Sequence, residues 1–186
     1  MTSIKVSIIT ILLTIIYLLL SVSVSNLAFN YQSNGSLIKE NGTILGSKLI
    51  GQEFSNNSYF HNRPSSNNYQ NNISGSSNLP YYSEELQSLT KERYEDFTSE
   101  NRTKLLDLNL ISESASGLDP HITYKSALSQ IERISSTGLT TKDEIINLIE
   151  KTSRPQICGL FGNKIVNVLE LNLKLRDLYA TKSRTR

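Results

Sequence analysis

Ser114-Ala115-Ser116-Gly117-Leu118-Asp119-Pro120-His121 places a hydroxyl, a carboxylate and an imidazole in one short stretch. Those are the ingredients of nucleophilic catalysis, with Ser116 or Ser114 as nucleophile and His121 as base. The spacing argues against it. Triad members normally approach from separated segments, and Asp-Pro-His packed together does not easily present the relay. A turn explains the same residues: Gly117 supplies a permissive backbone, Pro120 fixes φ, and the polar side chains bond locally before a helix at Thr123. The turn is the preferred expectation, and a membrane-anchored Ser/His hydrolase is kept as the alternative.

Other catalytic patterns are weaker. Gly42-Thr-Ile-Leu-Gly46-Ser47-Lys48 superficially resembles a phosphate loop, but it is one residue short and reverses the Lys-Ser order. Ser-x-x-Lys occurs at Ser36/Lys39 and Ser88/Lys91 without its companion motifs. The two histidines, His61 and His121, form no pair at zinc-ligand spacing, and no Asp-Lys-Thr-Gly phosphorylation sequence is present.

Helices and a few strands must position these residues. Leu86, Leu89 and Phe97 share one helical face between Glu84 and Thr103. A helix from Thr123 is expected to bury Ala127, Ile131 and Ile134 and to stop at Gly138. Thr141-Lys-Asp-Glu144 has capping-box spacing before Ile145, Leu148 and Ile149. Thr43 to Ile50, entered through Asn41-Gly42, reads as a strand. Leu169, Leu171, Leu173 and Leu175 alternate with polar residues, which predicts a half-buried strand. Residues 55–80 are dominated by Asn and Ser and read as a long loop. The expected class is α+β.

An uncharged run from Val6 to Ser25 precedes this domain. At ~1.5 Å per residue it forms a helix of ~30 Å, the hydrocarbon thickness of a bilayer. Its length exceeds a signal-peptide core of roughly 7–15 residues, so a retained anchor is expected over a cleaved leader ending near Ser21 to Ser25. Ser7, Thr10, Thr14, Tyr17 and Ser21 line one stripe of it, a candidate contact face with a neighbouring helix. The competing reading is that its hydroxyls merely satisfy their own i−4 carbonyls. Lys5 places residues 1–5 in the cytoplasm, 6–25 across the membrane and 26–186 outside. Asn-x-Ser/Thr sequons at Asn34, Asn41, Asn56, Asn72 and Asn101 are compatible with that placement. A single cysteine, Cys158, excludes an internal disulfide. Net charge is +2, from 19 basic and 17 acidic residues, with no basic patch interleaved with aromatics; nucleic-acid binding is not expected. The basic tail Lys182, Arg184, Arg186 reads as a solvated end.

Ser116-Gly-Leu-Asp-Pro-His-Ile-Thr123 with Ala127, Gln130 and Arg133 resembles the central motif of KdpC, the small single-span subunit of the Kdp potassium-transporting ATPase. The resemblance continues in Gly46-Ser-Lys-Leu-Ile-Gly-Gln52, Tyr59-Phe-His-Asn-Arg-Pro-Ser65, Ser74-Gly-Ser-Ser-Asn-Leu79 and Val166-Asn-Val-Leu-Glu-Leu-Asn-Leu173. With the apolar run, these segments cover nearly the whole chain in order. The chain departs from the family at Leu106 to Ser112, where a proline and Val-Thr are usual, and around Pro155 to Cys158.

The resemblance implies a non-catalytic cell-membrane subunit that stabilises a potassium-importing complex and raises the ATP affinity of its pump subunit. The implied partners are a channel-like potassium-binding subunit, a P-type ATPase subunit and a very small hydrophobic subunit. ATP, Mg2+ and K+ are then handled by those partners, and this chain binds no cofactor through a recognisable motif. Gln52, Arg63, Ser65, Ser116, Asp119, His121, Gln130 and Arg133 are expected to fix loops or meet a partner. The resemblance also turns the Asn/Ser-rich stretch into an ordered loop, since family segments bracket it. An isolated surface-binding protein is a third reading.

Overall fold

The computed structural model describes residues 2–103, 107–156 and 162–185; Cys158 and Leu106 lie outside them. The chain forms two compact units, Met1–Ser47 and Lys48–Arg186.

In the first unit, α1 (Thr2–Ala28) is a continuous helix whose apolar side chains are exposed. Its stretch Ser3–Ala28 has a mean hydropathy of 2.5, long and apolar enough to cross a bilayer. A single-turn helix, α2 (Asn30–Ser33), follows. Strands β1 (Leu37–Glu40) and β2 (Thr43–Ser47) then pair antiparallel. Asn41 and Gly42 both have positive φ, +50° and +81°, as a two-residue type I′ hairpin loop requires. The expected strand therefore begins where predicted but ends early at Ser47. Beyond it, the Lys48 carbonyl accepts from the side chain of Asn167 and the Gly51 N–H donates to Leu118 O, so the backbone no longer pairs with β1.

The second unit begins with a long loop and α3 (Glu84–Asn101), which Ser83 caps by accepting from the Leu86 N–H. A 3-10 turn at Leu108–Leu110 leads to β3 (His121–Thr123). Thr123 caps α4 (Tyr124–Leu128), and α5 (Ile131–Ser136) follows. The single helix expected from Thr123 is thus two, broken at Ser129-Gln130. Ala127, Ile131 and Ile134 are all buried as anticipated, and Gly138 at φ +74° ends the run. Then α6 (Lys142–Thr152) opens with the full capping box between Thr141 and Glu144. β4 (Ile165–Asn167) pairs antiparallel with β3 and runs into α7 (Val168–Thr185).

The alternating leucines form α7, which corrects the strand expectation. Val168, Leu171, Asn172 and Leu175 are buried and Leu178 and Tyr179 half-buried, which is helical spacing. Leu has high helix propensity, so period two over seven residues was matched by accident inside a longer 3.6 period. The core joins Phe60 from the long loop to Ile122, Ala127, Ile134, Ile145, Ile149, Val166, Val168, Leu171 and Leu175.

Candidate functional site

Two motif side chains are committed to the interior. Gln130 (1% exposed) accepts from the His61 N–H at 2.7 Å and donates to His61 O at 3.1 Å, copying one rung of a β-ladder. Arg133 (3% exposed) donates through Nη1 to Asn57 O and Tyr59 O at 2.7 and 2.9 Å. Its Nε reaches Asn101 Oδ1 at 3.0 Å and its Nη2 reaches Gln130 Oε1 at 2.7 Å. Burial lowers the Arg133 pKa to about 10, so it stays charged at neutral pH. From α7, Asn172 accepts from the Phe60 N–H at 2.8 Å and donates to Phe60 O at 2.9 Å. Residues 57–61, which open in a turn closed by the Tyr59 N–H on Asn56 O at 3.0 Å, are therefore held by side-chain amides and one guanidinium.

The Ser114–His121 segment is a turn. Gly117 sits at φ +67°, the Ser116 hydroxyl accepts from the Leu118 N–H, and Asp119 Oδ1 accepts from the His121 N–H at 3.0 Å. Ser114 Oγ lies 3.5 Å from the Asp119 nitrogen. His121 Nδ1 is 3.5 Å from Asp119 Oδ1, while His121 Nε2 is buried with no hydrogen-bond partner among the described residues. Neither serine bonds the imidazole there, so the nucleophile–base contact is not assembled. Gly42–Lys48 forms the hairpin instead of a phosphate cradle.

The long loop is fastened to this turn. Arg63 donates to Asp119 Oδ2 at 3.3 Å and to Glu113 O at 2.8 Å. Ser65 Oγ donates to Gly117 O at 2.7 Å, Tyr69 OH donates to Arg63 O, and the Gly75 N–H reaches Ser116 O at 2.9 Å. Asn62 Nδ2 donates to Gln52 O at 3.0 Å. Burial pushes the Asp119 carboxyl up, but bonds from His121 and the Arg63 charge outweigh it and hold the pKa below the usual value. The Asn/Ser-rich residues are thus ordered by their own amides and hydroxyls, packed on their own domain.

Gly51 packs tightly against the same turn. A Cβ there would lie 2.7 Å from Asp119 O and 3.2 Å from Leu118 O, both backbone atoms. Gly51→Ala must push the two segments apart and lengthen the bond from the Gly51 N–H to Leu118 O, now 2.7 Å. The expected loss is about 1–3 kcal/mol, read from urea unfolding.

Acid should loosen the same region in two stages. Burial and the Arg133 charge lower the His61 pKa to about 4. Between pH 6.5 and 4 the unfolded chain takes up a proton that the folded chain refuses, so stability falls as pH drops through that window. Asp107, Glu113 and Asp119 all lie below their ordinary values, so their contribution is lost only as pH falls further. His61→Gln should flatten the urea midpoint between pH 6.5 and 4 and leave the lower fall in place.

Of the expected site residues, Arg63, Ser65, Ser116, Asp119 and His121 meet at the turn, and Gln130 and Arg133 lie together beneath residues 57–61. Gln52 contributes a carbonyl. Ser7, Thr10, Thr14, Tyr17 and Ser21 are exposed along α1. The hydroxyls of Ser7, Thr10, Thr14 and Ser21 each donate to the carbonyl four residues earlier. Sequence reasoning missed Asn101, Asn167 and Asn172, all buried. Asn172 carried a signal, a polar amide at a position of helical burial between Leu171 and Leu175, whereas Asn167 ends strand β4.

One helix long and apolar enough to cross a bilayer precedes a small α+β domain whose most distinctive polar residues are spent on holding its own loops. The family model for KdpC, the c chain of a K+-transporting ATPase, matches residues 1–177. The potassium-transporting ATPase KdpC subunit of Escherichia coli is 38% identical over 168 residues, 88% of each chain. That of Caldanaerobacter subterraneus subsp. tengcongensis is 34% identical over 170 residues, covering 90% of this chain and 88% of the relative. That of Koribacter versatilis is 34% identical over 177 residues, 94% and 92%. The chain belongs to the KdpC family.

Proposed function

We propose that this chain is the assembly subunit of an ATP-driven, high-affinity potassium importer. The observation that carries the reading is the family match, which includes the apolar helix as well as the domain. In this reading the chain stabilises a channel-like potassium-binding subunit, a P-type ATPase subunit and a very small hydrophobic subunit. ATP, Mg2+ and K+ are bound by those partners. The amino terminus faces the cytoplasm and residues 26–186 lie outside, an orientation supported by Lys5 before the span.

The chain also raises the ATP affinity of the pump subunit. An external domain does not reach cytoplasmic ATP, so the effect is a coupling free energy transmitted through the membrane subunits. Potassium-dependent ATPase activity should show a raised KM for ATP when this chain is omitted. A photoreactive ATP that crosslinks to this domain in the sealed complex would overturn the coupling. The central test is detergent extraction followed by identification of what stays bound. Two large multi-span subunits are expected; extraction of the chain alone would refute the assignment. The hydrolase reading is not favoured, because the hydroxyls of Ser114 and Ser116 face backbone nitrogens and not His121.

A further inference from the structure

The five sequons differ sharply once folded. Asn101 is 2% exposed and its Oδ1 accepts from Arg133, so its amide is closed to any enzyme. Asn34 donates its amide to Asn30 O, and its hydroxyl partner Ser36 is buried. Asn56 Oδ1 accepts from the Ser58 N–H, which folds that sequon on itself. Asn72 is exposed, but the hydroxyl of its Ser74 is bonded to Ser116 O.

Asn41-Gly42-Thr43 is different. Asn41 and Thr43 are both exposed, and neither side chain makes a hydrogen bond among the described residues. The pair sits at the tip of the β1–β2 hairpin, where Asn41 at φ +50° and Gly42 at +81° carry the loop outward. An attached group there meets no packed surface, since even a Cβ on Gly42 would have nothing within 4 Å.

We propose that Asn41 is an N-glycosylation acceptor, modified by a membrane oligosaccharyltransferase that uses a lipid-linked oligosaccharide diphosphate. The Asn41 amide nitrogen forms a bond to the anomeric carbon of the first sugar. The anomeric C–O bond to diphosphate breaks, the polyprenyl diphosphate leaves with the electron pair, and the amide gives up one proton. Thr43 supplies the hydroxyl that such enzymes read at the third sequon position. The glycan covers the hairpin beside Ile44, which is 56% exposed. The inference rests on the external placement proposed above.

The test uses the full chain purified from membranes of the cells that make it, digested and mapped by mass spectrometry. The peptide carrying Asn41 should bear a glycan mass, Asn41→Gln should remove the matching gel shift completely, and Asn101 should be unmodified. An unmodified Asn41, or a glycan on Asn101, overturns the proposal. Labelling of Lys39 on intact cells with a membrane-impermeant amine reagent separates the two ways of failing. Labelled Lys39 with bare Asn41 refutes the acceptor alone; unlabelled Lys39 refutes the external placement with it.

Discussion

Arg133→Met is expected to lower the stability of the domain by about 3–5 kcal/mol, the largest loss for any single polar substitution considered. The guanidinium serves Asn57 O, Tyr59 O, Asn101 Oδ1 and Gln130 Oε1 at 2.7–3.0 Å. Methionine fills a similar volume and serves none of them. Each buried acceptor left without a partner costs about 1–3 kcal/mol, and because they share one network the sum is less than additive. Lysine should recover little. One ammonium on a flexible stem cannot address acceptors that a planar fork reaches in several directions. The consequence extends beyond stability: with residues 57–61 released, Phe60 loses its place in the core and the loop that docks on the Ser116–His121 turn loses its anchor. Urea unfolding of the purified chain in detergent measures the effect, with Arg184→Ala as an exposed control expected within ±0.5 kcal/mol. A loss below about 1 kcal/mol would mean that Gln130 and Asn172 hold the segment without help.

The contrast between what was readable in the sequence and what was not follows from the range of the interactions. Thr141 with Glu144, Thr123, and the Asn41-Gly42 loop act within a few residues, so their consequences are written locally. The leucine alternation at 169–175 failed because a window of seven residues is too short to separate a period of two from a helical face. The buried Asn172 in the middle of it was the clue. Gln130 and Arg133 were named only through the resemblance, and their backbone partners lie some seventy residues away, at His61, Asn57 and Tyr59. No local pattern encodes such a pairing. The order of the Asn/Ser-rich loop was hidden from composition for the same reason and was expected only through the resemblance. Composition counts its amides as solvent-seeking, whereas Asn67, Ser65 and Tyr69 spend their polar atoms on the loop and the turn beneath it.

Replacing Ser7, Thr10, Thr14 and Ser21 together by Leu is expected to leave membrane insertion intact and to weaken retention of the partner subunits about tenfold or more. The hydroxyls donate to Ser3 O, Val6 O, Thr10 O and Tyr17 O at 2.8–3.0 Å. Those carbonyls keep their helical N–H partners when the hydroxyls go, so the substitution orphans no polar group. Leucine also favours insertion, by roughly 0.3–0.6 kcal/mol per residue at the helix centre. What changes is shape. Lipid gives apolar helices no hydrophobic reason to associate, so association depends on close approach across small side chains, and four leucines close that face. Tenfold weaker retention corresponds to about 1.4 kcal/mol, less than the cost of one badly placed core methylene pair, so the assay must be sensitive. Co-purification across a detergent series provides that sensitivity, with Leu12→Ala and Leu19→Ala off the stripe as controls. Because the hydroxyl protons are committed within α1, any loss on the leucine variant reports lost packing or a lost hydroxyl acceptor and not a lost interhelical donor. If the complex survives all four changes unaltered, α1 acts as a tether, and the folded domain with its internally braced loop holds the subunit in place.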